Sequence, residues 1–206
     1  MTNPQPPMPG QPTAPGYAPR PAKGGLPTWA LVLVILTIVI FLFGGICAAI
    51  AIPAFTKYVR KSKTAEARVE VAKVFDGIAN YYVEHGTCPT DGNATGHAGV
   101  TPPLSVLCAS GQDGRCVPNG SGVGGYPQSA WSENPVWQKL GYAQQAGHFF
   151  HYDVRWEASP QGCKFTVQAF GDLDDDGIFS TFERAAAADA NGINAAAGLY
   201  IDNEVE

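Results

Sequence analysis

An uncharged apolar run near the N-terminus constrains the fold of this chain most strongly. It extends from Trp29 to Phe55 and contains no charged side chain in 27 residues. As an α-helix with a rise of about 1.5 Å per residue, the run is about 40 Å long, which is enough to cross a bilayer core of about 30 Å with some tilt. We therefore expect a membrane-spanning helix over residues 29–55. A proline at position 53 lies inside a helical pattern that continues beyond it.

The helical pattern extends well past the uncharged run. Val71, Phe75, Ile78 and Tyr82 recur at helical spacing and form one stripe, and Gly86 is typical of the residue that follows a helix. This pattern predicts one helix over residues 28–85. Its inner half would lie in lipid, and its outer half would pack the stripe against a small domain.

The remaining residues, 86–206, have the pattern of one modest domain. Apolar and polar residues alternate over 150–157 and 163–169, which predicts two half-buried strands, and 198–203 is a candidate closing strand. Asn134 followed by Pro135 is typical of a helix start, with the helix continuing to Leu140. We expect an α+β fold in which an antiparallel sheet of three or four strands packs on the long helix.

The first 27 residues contain nine prolines and almost no large apolar side chains. Such a segment cannot bury enough apolar surface to offset the entropy of ordering it, so residues 1–27 are predicted to be a disordered tail with polyproline II character. The tail is either a flexible extension on one side of a membrane or a ligand for a proline-binding domain.

Charge is spread unevenly along the chain. Residues 81–206 carry five basic and fifteen acidic side chains, so the distal domain is not expected to bind nucleic acid. Residues 57–73 carry six bases against two acids, which suits contact with the lipid bilayer surface. Counted naively, this basic flank would be cytoplasmic by the positive-inside rule. A cleaved secretory signal ending near Ala49-Ile50-Ala51 is a further alternative.

The cysteines favour the opposite topology, with the C-terminal domain outside. Cys47 lies in the apolar run, and the other four, Cys88, Cys108, Cys116 and Cys163, lie in the distal domain. Four cysteines beyond a membrane anchor indicate two disulfides in an oxidising compartment. Three connectivities are possible, of which we favour Cys108–Cys116 with Cys88–Cys163. A Cys₄ zinc site is the rival interpretation, although no Cys-x-x-Cys pair is present.

An acidic loop near the C-terminus has the spacing of a calcium site. Asp172, Asp174 and Asp176 stand at positions 1, 3 and 5 of a twelve-residue loop with Gly177 at position 6. The predicted ligands are Asp172, Asp174, Asp176, the Ile178 carbonyl, Ser180 and Glu183. A strand precedes the loop, so this is not a helix-loop-helix hand, and with no paired loop we expect structural Ca²⁺ rather than a signalling sensor. The alternative is a solvated acidic turn.

The segment GGICAAIAIPAFTKYVRKSKTAEA resembles the N-terminal helix of type IV pilins and of the pseudopilins of type II secretion. The matching positions are Ala48–Pro53, Phe55, Tyr58, Ser62, Lys63 and Glu66. The resemblance implies a kink-bearing proline at position 53, a long helix packed on an antiparallel sheet, a disulfide-bearing region and, as in many members, an acidic Ca²⁺-binding loop.

Two positions depart from the family pattern. Aligned on Pro53, the leader glycine before the peptidase cut falls at Leu31, and the glutamate used in fibre assembly falls at Leu36. The chain is therefore expected to remain unprocessed, with its N-terminus in the cytoplasm, a single pass through the inner membrane and a periplasmic C-terminal domain. Gly44, Gly45, Ala48 and Ala49 would let neighbouring helices approach closely in lipid.

No nucleophile with a recognisable base stands out, so no enzymatic activity is expected. The expected function is that of a pilin-like structural protein, with pilin-like subunits or the pilus or secretion machinery as partners. The alternative is a stationary envelope binding module, tethered to the inner membrane and stabilised by calcium.

Overall fold

The computed structural model describes residues 10, 24–25 and 27–205. The disorder predicted for residues 1–27 therefore concerns a segment that lies mostly outside the described residues. The chain forms two compact units, residues 1–49 and 50–206.

A single helix, α1, extends over Thr28–His85 and matches the predicted bounds. At its start, the Pro27 carbonyl accepts hydrogen bonds from the amides of Ala30 and Leu31. Gly86 follows its last residue with a φ of 69°, and the Gly86 amide donates to the Tyr82 carbonyl at 2.7 Å. A left-handed residue that bonds back in this way is a common helix terminator. The helix continues through Pro53.

The helical part of the first unit consists of residues 28–49 of α1. Its large apolar side chains are exposed, including Trp29 and Phe43 at 68% each. A helix that is apolar on all faces is unfavourable in water and is suited to lipid. By length and composition, α1 is able to cross a membrane.

The second unit is built on a six-stranded sheet. Its strands are β1 (Thr95–His97), β4 (His151–Ser159), β5 (Gly162–Gly171), β6 (Ser180–Asp189), β7 (Gly192–Ala195) and β8 (Tyr200–Asp202). Their order is β1-β4-β5-β6-β7, with β8 also paired to β6, and all of these pairings are antiparallel. A separate parallel pair consists of β2 (Val117–Pro118) and β3 (Gly125–Tyr126). Two short helices are α2 (Ser129–Ser132) and α3 (Pro135–Leu140).

The outer half of α1 packs against this sheet through one buried stripe. The buried helix residues are Thr64, Ala67, Val71, Val74, Phe75 and Ile78. Phe75 contacts Phe165 of β5 with the ring centroids 5.2 Å apart, and the Arg184 guanidinium of β6 lies 3.9 Å from the Phe75 centroid. Three members of the predicted stripe are therefore buried, and the fourth, Tyr82, is half-buried. The protein has the predicted α+β fold, a long helix packed on a mostly antiparallel sheet.

The sheet is larger than the three or four strands expected. The main addition is β6, which pairs with β5 over ten residue positions from Gly162↔Asp189 to Gly171↔Ser180. It includes the run Ala185–Ala188, whose residues have high intrinsic helix propensity, so sequence pattern alone does not identify it as a strand. Pairing with β5 and burial of alternate residues override that local preference.

The helix start predicted at Asn134 is confirmed. Asn134 caps α3, because its side-chain oxygen accepts from the amides of Val136 and Trp137. Trp131 and Trp137 are fully buried with ring centroids 5.2 Å apart.

Two disulfides cross-link the second unit, with the connectivity favoured from sequence. Cys88–Cys163 joins the segment after α1 to β5 across 75 residues of sequence, and Cys108–Cys116 closes a loop with a separation of 8. Cys47 of α1 is free and exposed.

Removing the longer disulfide should destabilise the protein more than removing the shorter one. In the chain-entropy account, Cys88→Ser/Cys163→Ser costs about 4.5 kcal/mol and Cys108→Ser/Cys116→Ser about 2.5 kcal/mol, because the longer loop restricts the unfolded chain more. Denaturant unfolding of the two double variants measures this order. Cys47→Ser is the matched control and should leave the free energy of unfolding unchanged. The reverse order would show that strain or residual structure outweighs loop entropy.

Candidate functional site

The acidic loop connects β5 to β6. Asp172 organises its first half, because one carboxylate oxygen accepts from the Asp175 amide at 2.7 Å and the other from the Gly177 amide at 2.9 Å. Asp175 and Gly177 have φ values of 65° and 87°. The chain therefore curls around the Asp172 carboxylate, as expected for a loop that directs several oxygens inward.

Three predicted ligands meet in this loop. Asp172, Asp174 and Asp176 each offer a carboxylate oxygen, and these atoms lie within 4.8 Å of one another. The Asp174 carboxylate also pairs with Arg60 of α1 at 2.7 Å. One arginine against three clustered carboxylates leaves net negative charge, which a cation would offset.

The other two side chains of the predicted set make hydrogen bonds within the paired strands β5 and β6. Ser180 is buried and its hydroxyl donates to the Gly171 carbonyl at 2.8 Å. Glu183 lies within β6 and accepts a hydrogen bond from the Gln168 side chain. At about 3.3 Å per residue, Glu183 is about 10 Å along the strand from Ser180. In a helix-loop-helix hand the exit helix rises less per residue, which keeps position 12 near the ion.

The residues present fit a hard, oxygen-seeking cation in an incomplete protein cage. Carboxylates and a carbonyl such as that of Ile178 are ligands that Ca²⁺ prefers, with water filling the remaining positions. Half-exposed Asp172 and exposed Asp174 and Asp176 leave room for that water. If the loop holds Ca²⁺, so incomplete a cage would lie at the weak end of the calcium range, about 10⁻⁴ to 10⁻³ M.

The cysteines do not supply a zinc site in this structure. Cys108 and Cys116 form a cluster with His151, whose Nε2 lies 3.4 Å from the Cys108 sulfur. Both sulfurs are in a disulfide, so neither is available as a thiolate ligand. The same loop contacts the acidic loop, because the Ser110 hydroxyl donates to the Asp175 carboxylate.

A second polar site fastens α1 to the sheet, and the sequence did not single it out as a site. The Glu66 carboxylate accepts from the Phe149 amide at 2.7 Å and from the Tyr152 hydroxyl at 3.3 Å. One turn later, Glu70 accepts from the Tyr142 hydroxyl at 2.9 Å. Burial raises the pKa of Glu66, and these hydrogen bonds oppose the rise. The available signal was the placement of both glutamates on the face of the buried stripe.

A second group of buried polar side chains forms a hydrogen-bond network around His148. The imidazole Nδ1 donates to the Phe150 carbonyl at 2.7 Å, and Nε2 accepts from the Tyr126 hydroxyl at 2.7 Å. Trp131 in turn donates to the Tyr126 oxygen at 2.8 Å. Burial lowers the pKa of His148 to about 4, so the imidazole is neutral near pH 7. Both of its nitrogens are engaged by the core, which makes its role structural.

The residues predicted for helix assembly lie on exposed surface of α1. Gly44, Gly45, Ala48 and Ala49 are exposed, as are Pro53, Phe55 and Tyr58. Among the described residues, no atom beyond the local helix backbone lies within 4 Å of a Cβ built on Gly44 or Gly45. These positions are therefore open to another helix.

A long apolar N-terminal helix followed by an antiparallel sheet is a pilin-like arrangement. No protein-family model, curated protein or solved structure matches this chain. The geometry of the described residues therefore carries the functional argument.

Replacing Glu66 should distinguish the effect of its charge on stability from the effect of the hydrogen bonds that it accepts. Folding raises its pKa above 4.5, so the Glu66 contribution to stability is largest in acid and declines as the pH rises from 4.5 through the folded-state value. Glu66→Gln keeps an oxygen that accepts from the Phe149 amide, and it removes the decline in stability with rising pH because glutamine does not titrate. Glu66→Ala leaves the Phe149 amide unpaired and costs about 1–3 kcal/mol.

Denaturant unfolding of wild type and Glu66→Gln between pH 4.5 and neutrality measures the effect. Other titrating groups, including His148, contribute equally to both proteins, so their contributions cancel in the difference between the two free energies of unfolding. Glu84→Gln, at an exposed position of the same helix, is the control and should follow wild type. A wild-type protein that parallels Glu66→Gln at every pH would contradict this account.

Proposed function

We propose that this chain is a non-enzymatic, pilin-like structural protein of the inner membrane, associated with a type IV pilus or type II secretion-type apparatus. The observation that carries the proposal is the continuous helix α1. It combines a membrane-length uncharged segment with a second segment whose buried stripe packs on an antiparallel sheet. The sequence resemblance around Ala48–Pro53 supports the same assignment.

The proposed mechanism is lateral packing of helices in lipid. Apolar burial does not favour helix association inside a bilayer, so small residues that permit close van der Waals contact become important. Gly44 and Gly45 provide such a surface, and no side chain in the part of the chain that the structure describes obstructs it. Because Leu36 stands where the family has its assembly glutamate, this contact would depend on shape rather than on a charge pair.

The disulfides support a periplasmic position for the domain. Both lie beyond the uncharged run, and disulfides persist in oxidising compartments such as the bacterial periplasm. With a single crossing, the N-terminal tail is then cytoplasmic. The basic residues that argue for the reverse orientation are partly engaged by the domain, since Arg60 pairs with Asp174 and Arg68 with Glu204.

Fractionation of tagged full-length protein from its host tests the association with an apparatus. We expect wild type to copurify with pilin-like subunits or machinery in sheared-fibre or cross-linked membrane fractions. Gly44→Leu/Gly45→Leu should lose this copurification, because large side chains separate the helices. The free chain should keep its melting temperature (Tm), because the added atoms meet open space.

Ile46→Leu is the matched control, since Ile46 is an exposed residue of the same segment with an equally large side chain. This variant should copurify as wild type does. Recovery of wild type exclusively as a lone inner-membrane protein would contradict the proposal. It would favour the alternative, a stationary envelope binding module.

For the acidic loop we propose structural Ca²⁺ held by Asp172, Asp174 and Asp176, with the Ile178 carbonyl and water. Millimolar Ca²⁺ should raise the Tm of wild type, because a ligand that binds the folded state stabilises it. Asp174→Asn should reduce this rise. Arg60→Gln is the matched control: it removes the ion pair to Asp174 and leaves all three carboxylates, so the rise should persist.

Differential scanning fluorimetry with Ca²⁺, Mg²⁺ and chelator measures these shifts. If chelation leaves the midpoint unchanged in wild type and in Asp174→Asn alike, the loop is an acidic turn without a metal.

A further inference from the structure

Two basic side chains lie over the Phe149 ring in the second unit, and a third lies one helical turn away on α1. The Lys63 ammonium lies 4.9 Å from the Phe149 ring centroid, and the Arg115 guanidinium carbon lies 4.6 Å from it. Arg60 precedes Lys63 by one helical turn on α1. We name Arg60, Lys63 and Arg115 the Phe149 cation cluster. Cations over an aromatic face are attracted to the ring, which fixes their position.

The cluster is assembled by elements that are themselves held in place. Arg115 is next to Cys116, so the Cys108–Cys116 disulfide fixes the loop that carries it. Gly114 of this loop, with a φ of 66°, lies against α1 so closely that an added Cβ would be 3.5 Å from the Lys63 nitrogen. Phe149 is secured by the hydrogen bond from its amide to Glu66.

The charge of the cluster is only partly balanced within the protein. Asp174 lies 2.7 Å from Arg60. Among the described residues, no carboxylate lies within 4.0 Å of the Lys63 ammonium or the Arg115 guanidinium. Burial, followed by repulsion from Arg115 and Arg60, lowers the pKa of Lys63. Holding these like charges together costs free energy, which an anion bound between them would offset.

We propose that Lys63 and Arg115, assisted by Arg60, bind the phosphate group of an anionic phospholipid headgroup. A phosphate presents several oxygens, and a guanidinium binds two of them at once while an ammonium acts as a point charge. Half-buried Lys63 and exposed Arg115 leave the site open to such a group.

The position of the cluster along α1 favours a lipid as the source of the phosphate. Lys63 is eight residues after Phe55, the last residue of the uncharged run, which corresponds to about 12 Å along the helix. Helical side chains lean toward the N-terminus, here the lipid end, and an extended lysine reaches about 6 Å. The distance that remains between the Lys63 ammonium and the level of Phe55 matches the headgroup layer, which is about 5–7 Å thick on each side of the bilayer core. This choice of source rests on the membrane anchoring proposed above.

Full-length protein in nanodiscs tests the proposal. The Tm from intrinsic tryptophan fluorescence is compared between phosphatidylcholine discs and discs that also contain phosphatidylglycerol. Wild type should gain about 3 °C with the anionic lipid, as expected for a site close to saturation. Lys63→Gln/Arg115→Gln should lose this gain. Lys63→Arg/Arg115→Lys, which retains both charges, should keep most of it.

Lys57→Gln/Lys61→Gln is the matched control, because it removes the same charge from two exposed positions of α1. It should keep the gain. Equal losses in the control and the cluster variant would overturn the proposal, since the effect would then be general surface attraction. No gain in wild type would also overturn it. If Lys63→Gln/Arg115→Gln does not fold, Lys63→Gln alone replaces it in the same comparison.

Inorganic phosphate, titrated into wild type in phosphatidylcholine discs, distinguishes the two sources. If phosphate reproduces the gain and phosphatidylglycerol does not, the cluster binds a soluble phosphate and the lipid assignment is wrong. If the chain fails to insert into discs, the anchoring proposal fails. Phosphate titration in detergent then still decides whether the cluster binds phosphate: a Tm gain lost in the cluster variant supports the site, and no gain overturns it.

Discussion

The packing of one helical stripe on the sheet is the interaction on which the rest of the domain depends. Residues such as Val71, Phe75 and Ile78 have almost no exposed surface, and they belong to one buried cluster with apolar side chains of β4, β5 and β6. Burying a side chain of this size is worth about 1.5–3 kcal/mol. A six-stranded sheet with one uncovered apolar face would not be stable in water, so α1 is part of the core of the domain as well as a candidate membrane span.

Polar groups then fix the position of the helix along the sheet. Apolar contact alone tolerates sliding, whereas the bonds from Phe149 and Tyr152 to Glu66 have defined partners. On the same helix, Arg60 reaches the acidic loop through Asp174, and the disulfide loop reaches that loop through Ser110. The acidic loop, the disulfide loop and the first basic turns of the packed segment are thus in direct contact. Metal binding and phosphate binding would act on one connected region.

Much of this arrangement could be predicted from residue patterns. An uncharged run of 27 residues, the stripe from Val71 to Ile78 and the alternation in β4 each encode one element directly. The strand β6 could not be predicted in this way, because its alanines favour a helix in isolation and become a strand by pairing with β5. Glu66 and Glu70 accept hydrogen bonds from partners that are 72 to 86 residues away in the sequence, which no local pattern reveals.

The acidic loop, too, can be predicted only in part from the local sequence. Its first half follows the spacing of Asp172, Asp174 and Asp176, whereas the position of Glu183 depends on whether a helix or a strand leaves the loop. We propose that α1 anchors the chain in the membrane with the disulfide-linked domain on the periplasmic side. Protease treatment of intact spheroplasts, followed by mass measurement of the membrane-bound fragment, is the decisive test. We expect a retained fragment that contains residues 29–55 and has lost the domain. A domain that stays protected until the cells are lysed, or a chain released by osmotic shock, would contradict it.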